Sequence, residues 1–165
     1  MKTSARIVAM LVAVIAAVML NGVQPAQAAA PSVQGQINAQ LAAYPGGIQI
    51  NATEVSYGGG RFVITFARSG GATTLATADC PSGWYCFYDG VNYAYPRGRL
   101  SDCGYQDLGT WGWRNRVDSA YYNLSRGSTA FVENSGLVLF VVSTVVRGLP
   151  KVAYPNQADY VMRTC

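Results

Sequence analysis

Residues 80–122 read CPSGWYCFYDGVNYAYPRGRLSDCGYQDLGTWGWRNRVDSAYY. This stretch holds three of the four cysteines, all three tryptophans and most of the tyrosines. Turn-forming residues recur every few positions, as at Asp89-Gly90 and Pro96-Arg97-Gly98. Short β-prone runs between such turns, rich in aromatics and bounded by cysteines, describe a small antiparallel β module fastened by disulfides.

Working outward, the same grammar continues to the end of the chain. Strands are expected at Trp84–Tyr88, Gly98–Ser101, Ser119–Asn123, Thr129–Glu133, Leu137–Val142 and Asp159–Arg163. Further turns are expected at Arg126-Gly127 and Asn134-Ser135-Gly136. Many short strands with regular turns indicate a mainly β sandwich over residues 79–165. A weak internal repeat runs through it. Phe87-Tyr88-Asp89 is echoed by Phe131-Val132-Glu133, and Asn115-Arg116-Val117-Asp118 by Asn156-Gln157-Ala158-Asp159, at offsets of 44 and 41 positions.

Upstream, Ser32 is placed to cap a helix carrying Val33, Ile37, Leu41 and Tyr44 at helical spacing, and Pro45-Gly46-Gly47 ends it. Strand-like runs follow at Ile48–Tyr57 and Arg61–Ala67, with Gly58-Gly59-Gly60 between them. In the second run Phe62, Ile64 and Phe66 alternate with Val63 and Thr65, as expected of a strand buried mainly on one face. This small α+β extension, residues 29–68, is too small to stand alone and needs a surface to pack on. Residues 69–78, rich in Gly, Ala, Thr and Ser, read as a linker.

Residues 1–28 read as a secretory signal. Lys2 and Arg6 precede the apolar run Ile7–Leu20, and Ala26-Gln27-Ala28 supplies the small residues of a cleavage site. Removing them leaves ten Lys and Arg against eight acidic residues, a net charge of about +2. That is too weak and too scattered to argue for nucleic acid. No later run is long and apolar enough to span a membrane, so the expectation is a secreted, extracellular monomer with no membrane contact after processing. Four cysteines in an exported chain imply two disulfides, with three pairings open. Cys80 and Cys86 enclose Pro81-Ser82-Gly83, which can fold the chain back, and that leaves Cys103 to Cys165. With no histidine and no C-x-x-C, zinc is a poor competitor.

The run C-P-S-G-W-Y-C-F-Y-D-G, followed by W-x-W-x-N-x-x-D-S, resembles the βγ-crystallin-like peptidase inhibitor family of actinobacterial secreted proteins. These are relatives of the streptomycete metalloproteinase inhibitor. The resemblance is good from Cys80 to about Glu133 and looser beyond. It implies a double Greek-key sandwich with one short strand exchanged between sheets, and it supports the Cys80–Cys86 pairing. It implies peptidase inhibition, metallopeptidases included, through a rigid convex loop. In the namesake that loop sits in a second small cysteine loop, which this chain lacks. The candidate target-binding residues here are Trp84 in the loop Pro81–Tyr85, and Tyr95 and Arg97 in the segment Asp89–Arg99. An ordinary surface loop is the plainer reading of both.

The alternative function is an extracellular structural or calcium-binding crystallin-type module. Calcium needs several hard oxygen ligands. Asn115 and Asp118, with Asn156 and Asp159, occupy the relevant motif positions, but Arg114 and Pro155 stand where a ligand or its helper belongs. The expectation is therefore no cofactor, with calcium the one candidate; the plainer role for these side chains is to close tight turns. The tyrosines and tryptophans invite a sugar-stacking reading, against which alternation on strands favours core filling. Catalysis is the weakest reading, because no histidine is present to serve as a base and the acids are dispersed.

Overall fold

The computed structural model describes residues 31–67 and 77–165. The signal segment 1–28 and most of the linker, 69–76, lie outside the described residues. Pro31–Cys165 forms one compact unit, and it is mainly β.

The helix runs from Val33 to Ala43. The Ser32 hydroxyl caps it by accepting from the Gly35 N–H at 3.1 Å, which satisfies one of the donors a helix start leaves open. Ile37 is fully buried beneath it, and the Gln40 amide donates to the Tyr57 hydroxyl at 3.1 Å and to the Trp111 carbonyl at 3.0 Å. The run expected as one strand, Ile48–Tyr57, is broken into β1 (Ile48–Gln49) and β2 (Glu54–Tyr57). Asn51 breaks it, since its side-chain oxygen accepts from the Thr53 N–H at 2.9 Å and turns the chain. β3 (Phe62–Thr65) is buried at all four positions rather than on one face.

The remaining strands are β4 (Trp84–Gly90), β5 (Ala94–Leu100), β6 (Gly104–Asp107), β7 (Ser119–Asn123), β8 (Ser128–Val132), β9 (Val138–Ser143), β10 (Gly148–Leu149) and β11 (Tyr160–Thr164). The expected strands are present within a few residues. One expected turn, Pro96-Arg97-Gly98, is instead the middle of β5, where Arg97 and Gly98 pair with Tyr88 and Phe87 of β4 and with Thr65 and Ile64 of β3. Gly98 is required there: a Cβ would lie 2.4 Å from the Phe87 ring.

Two antiparallel sheets result. One has the order β1-β2-β3-β5-β4-β7-β10 and the other β6-β11-β8-β9. β6 sits in the second sheet although its neighbours in sequence, β5 and β7, lie in the first, and β10 does the converse. The hairpin β2–β3 finds its surface at β5, where strand addition continues the sheet of the module.

The core lies between the sheets. Phe87 and Phe131 meet edge to face at 5.9 Å, flanked by Trp113 on Phe87 at 5.0 Å and Phe140 on Phe131 at 4.5 Å. These two phenylalanines are the first pair of the repeat. The second pair is equally concrete. The Asn115 N–H donates to the Ala158 carbonyl at 2.9 Å, and the Asn156 N–H to the Val117 carbonyl at 3.1 Å. Likewise the Asp118 N–H reaches Tyr88 and the Asp159 N–H reaches Val132, each at 2.9 Å. Reciprocal bonds between equivalent residues mean that the two halves are related by an approximate two-fold axis through the core.

Both disulfides join the residues expected, Cys80 to Cys86 and Cys103 to Cys165, with Cα–Cα distances of 5.7 and 5.8 Å. The first makes a small loop at the head of β4, and the second ties the chain end after β11 to the start of β6.

Candidate functional site

The cysteine loop is held down rather than projected. The Gly83 N–H donates to the Asn123 carbonyl at 2.8 Å, and the Asn123 amide returns a 2.8 Å bond to the Cys80 carbonyl. Trp84 is half-buried, with the Arg99 guanidinium 5.2 Å above its ring. A cation on the ring face covers surface that an anchor would need.

Arg97 is not an exposed anchor. It is 3% exposed. Its guanidinium donates to Thr65 Oγ1 at 2.9 Å and to the Asp79 carbonyl, and it lies 3.6 Å from Glu54 Oε1 and 3.3 Å from Asp79 Oδ2. Arg99 reaches the same Glu54 oxygen at 3.5 Å. Tyr95 is half-buried and donates its hydroxyl to Asp79. The reason is the strand β3: by adding to β5 it turns a would-be surface loop into an interior strand and draws both arginines onto β2. Burial raises the Glu54 pKa, but bonds from Thr65 and Asn51 and the charges of Arg99 and Arg97 outweigh it and hold the carboxyl below its ordinary value.

The four residues considered for calcium are turn residues of the two-fold axis. Asn115 and Asn156 both have φ of 56°, the left-handed region that asparagine tolerates. Asp159 is buried and accepts the Asn134 N–H at 2.8 Å. The Asp118 carboxyl is raised by burial and then by the Asp89 carboxylate. Asp89 itself is clasped by Arg116 at 2.6 Å, and Asp107 by Arg114 at 2.7 Å. Among the described residues no group of three or more His, Cys, Asp or Glu is placed to hold a metal ion.

The aromatic set divides clearly. Tyr85, Tyr88, Trp113 and Tyr122 are fully buried, whereas Tyr105 is exposed and stacks on Tyr160 at 4.8 Å. Filling the core is thus the work of most of these rings.

Sequence reasoning missed the loop between β9 and β10. Val145 is 90% exposed, and Val146 beside it is also exposed. The loop is nonetheless ordered. The Ser143 hydroxyl accepts from the N–H groups of Val145 at 3.2 Å and Val146 at 3.1 Å, and the Ser143 N–H donates to the Val146 carbonyl at 2.9 Å. Its far end is pinned where the Tyr122 N–H donates to the Arg147 carbonyl at 2.7 Å. The signal was present in the sequence: Ser143-Thr144 interrupts the apolar run of β9, so Val145-Val146 follow in a turn, where two aliphatic residues have no core to enter.

Comparison with known proteins bears out the resemblance. The model of peptidase inhibitor family I36 matches residues 73–135. That span takes in the cysteine loop and reaches through β8 into the turn before β9. No curated protein and no solved structure matches the chain.

Proposed function

We propose that this chain is an exported, non-catalytic peptidase inhibitor and that the loop Ser143–Gly148 is the part that enters the target's cleft. The observation that carries the reading is Val145, a large aliphatic side chain held almost wholly in solvent by a loop with internal hydrogen bonds. Water is a poor place for an isolated valine, whereas an apolar specificity pocket would bury it. Because Ser143 and Tyr122 already fix the backbone, little conformational entropy opposes docking. Ser143 here performs the bracing that a small disulfide loop performs in the namesake of the family.

The relation to the streptomycete metalloproteinase inhibitor makes a metallopeptidase the first target to examine. Export is supported by the signal-like residues 1–28 and by both disulfides, which suit an oxidising compartment. Among the described residues, no helix is long and apolar enough to cross a membrane. The absence of histidine from the sequence argues against acid–base catalysis.

The test is a titration of the unit from Pro31 onward against a thermolysin-type metallopeptidase and a subtilisin-type serine peptidase, with intact-mass analysis throughout. Stoichiometric inhibition of either, lost in Val145→Asp and kept in Trp84→Ala, is the expected result. Absence of inhibition with the protein surviving intact overturns the reading. Inhibition that survives Val145→Asp relocates the contact.

A further inference from the structure

The two-fold relation between the halves exposes an asymmetry at their edges. Phe87 of β4 pairs with Gly98 of β5, and Phe131 of β8 pairs with Phe140 of β9. β5 and β9 are therefore equivalent strands, each the outer partner of its hairpin. β5 has received an added antiparallel strand, β3, with Val63 opposite Arg99 and Thr65 opposite Arg97. β9 ends its sheet with nothing beside it among the described residues. The fold thus demonstrates strand addition at this position in one half and leaves it open in the other.

The chemistry of the open edge says what fits it. The residue opposite Cys86 on β5 is Arg99, and the one opposite Ala130 on β9 is Val141. The residue opposite Tyr88 is Arg97, and the one opposite Val132 is Val138. Where β5 offers two arginines to the acid Glu54, β9 offers two valines, 48% and 42% exposed for Val138 and Val141. No charged residue occurs from Leu137 to Val146. Natural edge strands are usually blunted by charge, proline or brevity. β1 and β10 have two residues each, and β6 has four, ending on Asp107 and preceded by Asp102. β9 has six, with its single irregularity near Val138, so Phe140–Ser143 stays regular.

We infer that β9 is a self-association edge, and that two copies of this chain pair antiparallel through it across a two-fold axis, joining their four-stranded sheets into one of eight. A second copy is the occupant favoured because it supplies an uncharged apolar strand of matching length. Antiparallel pairing is the arrangement in which one edge meets its own copy across a two-fold axis. The row Tyr105–Met162–Ala130–Val141, exposed at all but the half-buried Ala130, crosses the sheet in register and then continues over the seam. With one long bare edge among the described residues, the assembly closes as a dimer and does not grow into a filament. The monomer expected from the sequence is the dissociated state.

The test is sedimentation velocity of the Pro31–Cys165 unit across a concentration series. The expected result is a reversible shift from one to two chain masses. Val141→Lys should raise the dissociation constant by at least about tenfold, since it places two like charges at the seam, while its thermal midpoint at low concentration stays that of the parent. A single chain mass at every concentration overturns the inference, as does a dimer indifferent to Val141→Lys. Higher oligomers in place of a dimer overturn the two-fold arrangement. Peptidase inhibition is a separate readout, so failure here leaves the inhibitor reading standing and the converse holds as well.

Discussion

Replacing Arg97 with methionine tests why the extension and the module form one sheet. The side chain is 4% exposed and faces Glu54, itself only 16% exposed, with Thr65 Oγ1 bonded to both. Methionine keeps the apolar stem and removes the guanidinium. Breaking a buried ion pair from one side costs about 3–5 kcal/mol, because the other charge is left in a poorly solvating place. Arg99 remains 3.5 Å from Glu54, so the expected loss lies at the low end, about 3 kcal/mol, or a fall of roughly 10 °C in Tm. The pH dependence carries more information. In the parent, burial pushes the Glu54 pKa up but its bonds and the two arginines bring it below the ordinary value. A carboxyl depressed on folding contributes stability that is complete above its unfolded pKa and is lost as pH falls through its folded pKa. In Arg97→Met/Arg99→Met burial is opposed only by Thr65 and Asn51, so the pKa rises and that acid-side loss shrinks. The stability gap between parent and double variant, measured by urea unfolding, should therefore be widest near neutral pH and close as the carboxyl protonates. A gap constant with pH, or a loss below about 1 kcal/mol for Arg97→Met, refutes the network as the tie between the segments.

Ser143→Ala removes the acceptor shared by the Val145 and Val146 N–H groups; global stability should fall by less than about 1 kcal/mol while the inhibition constant rises about tenfold, because the loop must then be ordered on binding. The disulfides close sequence separations of 62 and 6 residues. Chain entropy then predicts that Cys103→Ser/Cys165→Ser costs about 4 kcal/mol and Cys80→Ser/Cys86→Ser about 2, and equal losses in denaturant unfolding would contradict that ordering. Calcium should leave Tm unchanged in the parent and in Asp118→Ala, because arginines hold Asp89 and Asp107 and a backbone N–H occupies Asp159. A calcium-dependent rise in Tm that is lost in Asp118→Ala would sink this expectation. Tyr122→Phe removes a 2.6 Å bond from the tyrosine hydroxyl to the Arg126 carbonyl across the β7–β8 turn, and should cost about 1 kcal/mol in the same unfolding assay.

Local signals in the sequence carried most of the fold. Ser32 and the spacing of Val33, Ile37 and Leu41 place the helix, and alternation places the longer strands of the module. The strands that escaped are β6 and β10, of four and two residues, which leave their own half to pair with the other sheet. Such segments have no periodicity long enough to register, and their partners are distant in sequence. The error at Pro96-Arg97-Gly98 has the same root. Those residues are turn-formers by local preference, but β3 and β4 on either side hold them extended, and Gly98 is there for the Phe87 ring rather than for a bend. Burial of Arg97 was invisible for a related reason, since its acid partner lies on a strand some forty positions earlier. The Asn and Asp residues of the repeat read as turn closers in the sequence; Asn115 and Asn156 adopt left-handed backbone, and the Asp159 carboxylate accepts the Asn134 N–H.

The two-fold relation also shows where the halves differ. They share a pairing, Phe87 with Gly98 and Phe131 with Phe140, and part company at the outer strand. In the first half, arginines at the edge recruited an acidic hairpin and the edge was buried. In the second half, valines at equivalent places left the edge open, and the loop that follows carries Val145 into solvent. The residues matched by the inhibitor family, 73–135, end before that loop begins. The match therefore speaks for the scaffold, and the loop proposed to contact a target lies past it. A scaffold whose first half is sealed by β3 and stapled at Cys80–Cys86 can hold a short loop still at the far end of its second sheet. The proposed inhibitory loop and the proposed pairing edge then share one stretch, Leu137 to Val146, in which Leu139, Phe140 and Val142 are buried while Val138, Val141, Val145 and Val146 are exposed. Among the described residues no strand adds to β9 as β3 adds to β5.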